Sequence, residues 1–75
     1  MPEIYVVIVD DDQSYEDHSQ WVEGAFLSDI EAINCGQDVL KANPNFDYMI
    51  QVFDRQYWIK TIYSDGTFKL EGSNQ

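Results

Sequence analysis

The sequence predicts an α+β fold: an antiparallel sheet of four to five strands with one helix packed on one face, in the order β(β)αβββ. Three observations predict it. A short apolar run opens the chain, one capped stretch of helical periodicity follows, and three alternating apolar segments separated by turn residues close it. Strands flanking a single helix fit a layered domain in which helix and sheet each bury one face against the other. Seventy-five residues leave room for a single domain, 1–75, with one core.

Ile4-Tyr5-Val6-Val7-Ile8-Val9 is a continuous run rich in β-branched residues, the pattern of a central strand covered on both faces. Asp10-Asp11-Asp12 ends it, because three adjacent carboxylates repel one another and need water. Residues 13–19 form a polar loop that contains Tyr15 and His18. Trp21 to Phe26 is a second strand paired to the first, with Gly24 marking a bulge or a close backbone approach.

Ser28-Asp29-Ile30-Glu31 matches the S-x-x-E capping box, in which Ser takes an orphan N–H and Glu reaches back to the cap. The helix is expected over residues 29–42, stopping before Pro44. On a helical wheel Ala32, Ile33, Gly36, Val39 and Leu40 share one face, with Ile30 beside it, while Glu31, Asn34 and Asp38 point away. Gly36 costs about 1 kcal/mol against Ala in a helix interior. A close approach of helix to sheet would offset that cost.

Tyr48 to Phe53 and Tyr57 to Tyr63 are strands joined by a turn at Asp54-Arg55-Gln56. Strict alternation in the second puts Tyr57, Ile59, Thr61 and Tyr63 on one face and Trp58, Lys60 and Ile62 on the other. Asp65-Gly66 is a strong hairpin signal leading to a last strand, Phe68-Lys69-Leu70. One helix covers only one face of such a sheet, so some aromatics are expected to stay partly exposed. Aromatics rimmed by polar residues are a normal composition for an interface.

A chain this short buries only roughly 60% of the surface its unfolded form exposes, so it needs dense apolar content. It has that content, with 44% hydrophobic and 15% aromatic residues, which excludes a disordered acidic tail. The lone Cys35 excludes an internal disulfide and argues against a Cys-based metal cluster. It fits a reducing cytoplasm. Met-Pro-Glu-Ile lacks the basic residues that open a signal peptide, and the run from Ile4 to Val9 is about a third of a membrane span. The expectation is a cytoplasmic protein with no membrane partner.

The net charge is −10, and it is one-sided. Residues 1–40 hold Glu3, Asp10, Asp11, Asp12, Glu16, Asp17, Glu23, Asp29, Glu31 and Asp38, and no Lys or Arg. Residues 41–75 balance Asp47, Asp54, Asp65 and Glu71 with Lys41, Arg55, Lys60 and Lys69. Direct binding to nucleic acid or anionic lipid is disfavoured, because phosphates call for a basic footprint.

The residues also argue against catalysis and against a cofactor or metal. Val-Val-Ile-Val-Asp-Asp-Asp resembles the first strand and acidic pocket of a two-component receiver domain. The later strands that family needs, one with a phosphoacceptor Asp and one with a Lys, have no place here. An EF-hand loop starting at Asp12 finds Ser14, Glu16 and Glu23 in place, but Asp17 stands where the sharp turn needs Gly. A weak cation site at Asp10–Asp12 is weighed against a solvated loop, and the loop is the reading kept. His18 is the only histidine and lacks the partners a zinc or acid–base role requires. Cys35 reads as a small packing residue.

Clustered carboxylates would suit a basic, nucleic-acid-binding surface on another protein. Asp10, Asp11, Asp12, Glu16 and Asp17 are the first candidate contacts, at one end of the sheet. Glu31 and Asp38 are the second, about 10 Å apart along one helix face. That is near one Debye length, so the two act as one field that steers a basic partner.

In size, acidity and mixed α/β build the chain resembles the small inhibitors encoded by phages, which include anti-CRISPR proteins, anti-restriction DNA mimics and inhibitors of uracil-DNA glycosylase. The segments Ile4–Asp12 and Gly24–Ala32 and the C-terminal hairpins are also similar to small bacterial and phage proteins that open with a strand, an acidic loop and a capped helix. The inhibitors share no motif, so no residue role is carried over. The resemblance implies a non-enzymatic protein, monomer or homodimer, that blocks a host defence or DNA-processing complex at its basic surface. The alternative is a structural or protein-interaction module, self-associating through a sheet edge, whose acidity serves solubility.

Overall fold

A computed structural model describes residues 3–11 and 19–71. Five strands and one helix follow in chain order: β1 (Ile4–Asp10), β2 (Gln20–Phe26), α1 (Asp29–Ala42), β3 (Asp47–Asp54), β4 (Tyr57–Tyr63) and β5 (Phe68–Leu70). The strands form one antiparallel sheet in the order β2-β1-β3-β4-β5, with α1 against β1, β2 and β3 on one face. This is the α+β architecture the sequence predicts.

The capping signal works through its first half. Ser28 is extended, and its Oγ accepts the Glu31 N–H at 3.4 Å. Asp29 and Glu31 favour the positive end of the helix, and Lys41 lies in its last turn. At the other end the Asn43 N–H donates to the Val39 carbonyl at 2.9 Å. The apolar stripe meets the sheet as expected: Ala32 and Gly36 are buried, and Ile33, Val39 and Leu40 are half-buried.

The core lies between α1 and the facing side chains of β1 and β3. Register opposes Val7 to Ile50 and Val9 to Tyr48, and these four join Ala32 and Val52 in the buried cluster. Gly36 serves the close approach. A Cβ there would lie 2.6 Å from the Tyr48 ring, so the glycine lets the helix rest on an aromatic face. The Tyr48 hydroxyl accepts from Gln37 Nε2 at 2.9 Å, which ties the ring to the next helical residue.

Two expectations are corrected. β1 is interior, paired with β2 and β3, but among the described residues α1 covers only one of its faces. No second helix lies across the sheet among those residues, so Ile4, Val6 and Ile8 lie on the face turned away from α1. The alternation in β4 is also broken. A register shift at Val52/Phe53 opposes Lys60 to Val52 but Trp58 to Phe53, with Ile59 as the extra residue. Such a bulge flips the faces of the residues beyond it. Trp58 therefore shares the open face with Thr61, to which its Nε1 donates at 3.0 Å, while Ile59 packs on the core. A second bulge lies on β2, where Glu23 is the extra residue between Gly24, opposite Val7, and Val22, opposite Ile8, beside the glycine that suggested it.

Both C-terminal turns form where their residues place them. Arg55 takes a left-handed φ of 61° in the β3–β4 turn. In the β4–β5 turn Gly66 has φ of 93°, and the Tyr63 N–H donates to the Thr67 carbonyl at 2.8 Å. The Asp65 carboxylate accepts from both the Thr67 hydroxyl and its N–H. These bonds hold its pKa below the usual range, with the hydroxyl the larger cause.

Candidate partner-binding site

Two of the first-ranked acidic residues, Asp10 and Asp11, lie at the end of the sheet where β1 runs out. Asp10 pairs with Gln20 on one side and Asp47 on the other. Gln20 Nε2 donates to Asp10 Oδ2 at 3.2 Å. Asp11 closes the β1–β2 connection: its N–H donates to the Ser19 carbonyl at 3.0 Å, and its Oδ1 accepts the Ser19 N–H at 2.9 Å. Asp12, Glu16 and Asp17, with Tyr15 and His18, lie outside the described residues.

Asp47 is the acidic residue at this end that the sequence did not single out. Its Oδ1 accepts from the Ser64 hydroxyl and from the Tyr48 N–H. Only the β1–β3 register sets it opposite Asp10, and a residue just before an apolar run carries no local signal of that pairing. Like charges directly opposite in a sheet are unfavourable. Between them is a shallow depression of about 120 Å³ lined by Ile8, Asp10, Gln20, Asp47, Met49 and Tyr63. It is smaller than the ~300 Å³ at which small-molecule sites begin.

The second-ranked pair is exposed on α1 and is not gathered with the first. β2 runs back from Asp10 to Tyr5, so α1 starts at the opposite end of the sheet. Glu31 is at that far end, in the first turn with Asp29. The bond from the Tyr5 hydroxyl to Glu3 at 2.9 Å, then burial and the charges of Glu3 and Asp29, raise the Tyr5 pKa. Asp38 lies further along the helix. It and Glu23 of β2 flank Cys35.

The strand order converts the division of charge in the sequence into a division in space. β2, β1 with the residue after it, and α1 carry Asp10, Asp11, Glu23, Asp29, Glu31 and Asp38 against Lys41 alone, while Asp47, Asp54, Asp65 and Glu71 share the β3, β4 and β5 side with Arg55, Lys60 and Lys69. Among the described residues these three and Lys41 make no ion pair with a carboxylate; Lys60 lies over the Phe68 ring at 5.5 Å.

Exposed aromatics complete the surface. Trp21 packs edge-on against Phe46 at 5.7 Å and donates its Nε1 to Glu23 at 2.8 Å. On the open face, Trp58 Nε1 donates to Thr61 Oγ1, which donates to Glu71 at 3.0 Å. This chain satisfies the hydroxyl of Thr61, the buried polar residue of the sheet. The sequence missed it because the bulge hides which residues share that face.

Cys35 is half-buried beside Gly24. Burial first, then the charges of Glu23 and Asp38, push its pKa above the ordinary thiol range. A folded pKa above the unfolded one contributes stability below the unfolded pKa that is lost as pH rises through the folded value. Thiol reagents are therefore expected to modify folded Cys35 more slowly than the unfolded chain at neutral pH, with the rate climbing only well into the alkaline range. Equal rates in buffer and in denaturant would contradict this assignment.

Among the described residues no group of three or more His, Cys, Asp or Glu side chains is placed to hold a metal ion, and no helix is long and apolar enough to cross a membrane. No family model, curated protein or solved structure matches the chain.

Proposed function

We propose that this protein is a non-enzymatic acidic binding protein that blocks or regulates a nucleic-acid-handling protein by occupying its basic surface. The observation that supports this reading is the distribution of charge: β2, β1 and α1 carry their acids against Lys41 alone, while the acids and bases of β3, β4, β5 and their turns roughly balance. A coherent field of one sign steers an oppositely charged partner and speeds encounter. Asp10 and Asp11 sit at the sheet end, with Asp12, Glu16 and Asp17 in the connection that leaves it. Glu31 and Asp38 extend the field along the helix. A phage anti-defence inhibitor, such as an anti-CRISPR protein, is the form of this activity that the resemblance in size and acidity implies.

The test is capture of nucleic-acid-binding proteins from bacterial lysate on the immobilised chain, at low and high salt, with competing DNA. Capture is expected at low salt, with release both by DNA and by added salt, because exposed charges are screened beyond a Debye length. Replacing Asp10, Asp11 and Asp12 by Asn together is expected to weaken binding by about tenfold or more, chiefly through a slower on-rate. Binding that neither salt nor these substitutions alter would refute the proposal.

A further inference from the structure

The face of the sheet turned away from α1 has an apolar composition that a solvent-facing sheet does not need. An antiparallel sheet with one wet face alternates apolar-in with polar-out. Here the outward positions away from the charged end are Ile4, Val6 and Ile8 on β1, Val22 and Ala25 on β2, Met49 and Phe53 on β3, and Trp58 and Tyr63 on β4, with Gln51 and the buried Thr61 as a polar pair among them. Trp58 stays 40% exposed and Val22 62% exposed. Such a face calls for a second layer.

We infer that the missing layer is a second copy of this chain, with the two open sheet faces stacked about a two-fold axis. Charge selects this occupant. The outward positions of β1, β3 and β4 between Ile4 and Tyr63 hold no charged residue; the charges on the face are Asp10 and Asp47 at one end, Lys69 at the β5 edge, and Glu71, whose carboxylate reaches in to accept from Thr61. A basic partner is drawn to the acidic side, not to this neutral field. A two-fold axis lying across the strands sets the Asp10–Asp47 end of each copy over the Ile4–Phe53 end of the other. Asp29, Glu31 and Asp38 of α1 then lie on the outside of both layers, away from the contact.

The area is adequate. Five strands about 4.8 Å apart and seven residues long outline roughly 550 Å². Side chains raise the accessible surface above that outline, towards the about 800 Å² per partner that a standard interface covers. Sheets stacked this way lie about 10 Å apart with their strands within about 30°. The inference goes beyond the proposed function and does not depend on it.

Sedimentation equilibrium of the full chain is expected to give twice the 8.7 kDa chain mass, at a concentration of about 100 μM. Association should tighten with added salt, which screens repulsion between the copies, the opposite sense to partner binding. Ile8→Lys, at the centre of the face, is expected to raise the dissociation constant about a hundredfold. Val22→Lys, at an exposed position, should also weaken it, and Ile30→Lys on the helix side should not, with far-UV circular dichroism confirming that each variant folds. Oxidative labelling of the unmodified protein supplies a readout free of substitution: Met49 and Trp58 should become protected as concentration rises, while Trp21 does not. A mass of 8.7 kDa at every concentration, a dimer untouched by both open-face lysines, or unchanged labelling of Met49 and Trp58 would each overturn the inference.

Discussion

Ile50→Ala is expected to remove a large part of the stability of this protein. Ile50 is fully buried on the middle strand, opposite Val7 on one side and Ile62 on the other, within the cluster that also contains Val9, Ala32, Tyr48 and Val52. Truncating a buried Ile to Ala costs about 2–5 kcal/mol, the transfer term plus the cavity left behind. This site should fall in the upper half of that range. A β-strand held by neighbours on both sides cannot move inward to refill the space, and the facing helix rests on an aromatic ring that fixes its height. At ~0.05–0.15 kcal/mol per residue, a chain of this length has only about 4–11 kcal/mol in total. Urea titration of the variant at low protein concentration should therefore show a midpoint reduced by about a third or more, with an unchanged slope. A loss under about 1 kcal/mol would show that the core is not centred where β1, β3 and α1 meet.

The elements were legible because each rests on a local rule. Ser28 and Pro44 bracket the helix, Asp65-Gly66 makes its turn, and the apolar stripe of α1 is what meets the sheet. The faces were less legible, because they depend on register. One extra residue at Ile59 moves Trp58 to the face of Thr61, and no local pattern in Tyr57–Tyr63 signals it. The run Ile4–Val9 signalled burial on both faces, yet the helix supplies one cover. The pattern was a sound statement about what β1 needs, and the chain as described meets half of it. For the candidate site, sequence order placed the acids on one half of the chain, and the strand order kept that half together in space. The distance between Asp10 and Glu31, and the approach of Asp47 to Asp10, needed the antiparallel path of β1, β2 and α1.

Gly36→Ala is expected to destabilise the protein, although the same change on an exposed helical surface would stabilise it. Ala gains about 1 kcal/mol of helix propensity over Gly. Against that, the new methyl would lie 2.6 Å from the Cδ1 and Cε1 atoms and 2.7 Å from the Cζ atom of Tyr48, well inside van der Waals contact. The ring has no free direction in which to yield. It is 96% buried, its backbone is paired to Val9, and its hydroxyl is held by Gln37 from the same helix. The alternative is for α1 to lift, which opens gaps over Val7, Ile50 and Ala32 together. Overpacking of this kind costs about 1–3 kcal/mol, occasionally more, so a net loss of about 1–2 kcal/mol is expected after the propensity gain, at the tight end of that range because the methyl falls inside van der Waals contact. The coupling identifies the cause. Tyr48→Leu alone should be destabilising, but combined with Gly36→Ala it should cost less than the sum of the two single changes, because the smaller side chain admits the methyl. Thermal or urea denaturation of the four proteins completes the cycle. Strict additivity, or a Gly36→Ala variant more stable than the parent, would mean that the glycine does not set the spacing between helix and sheet.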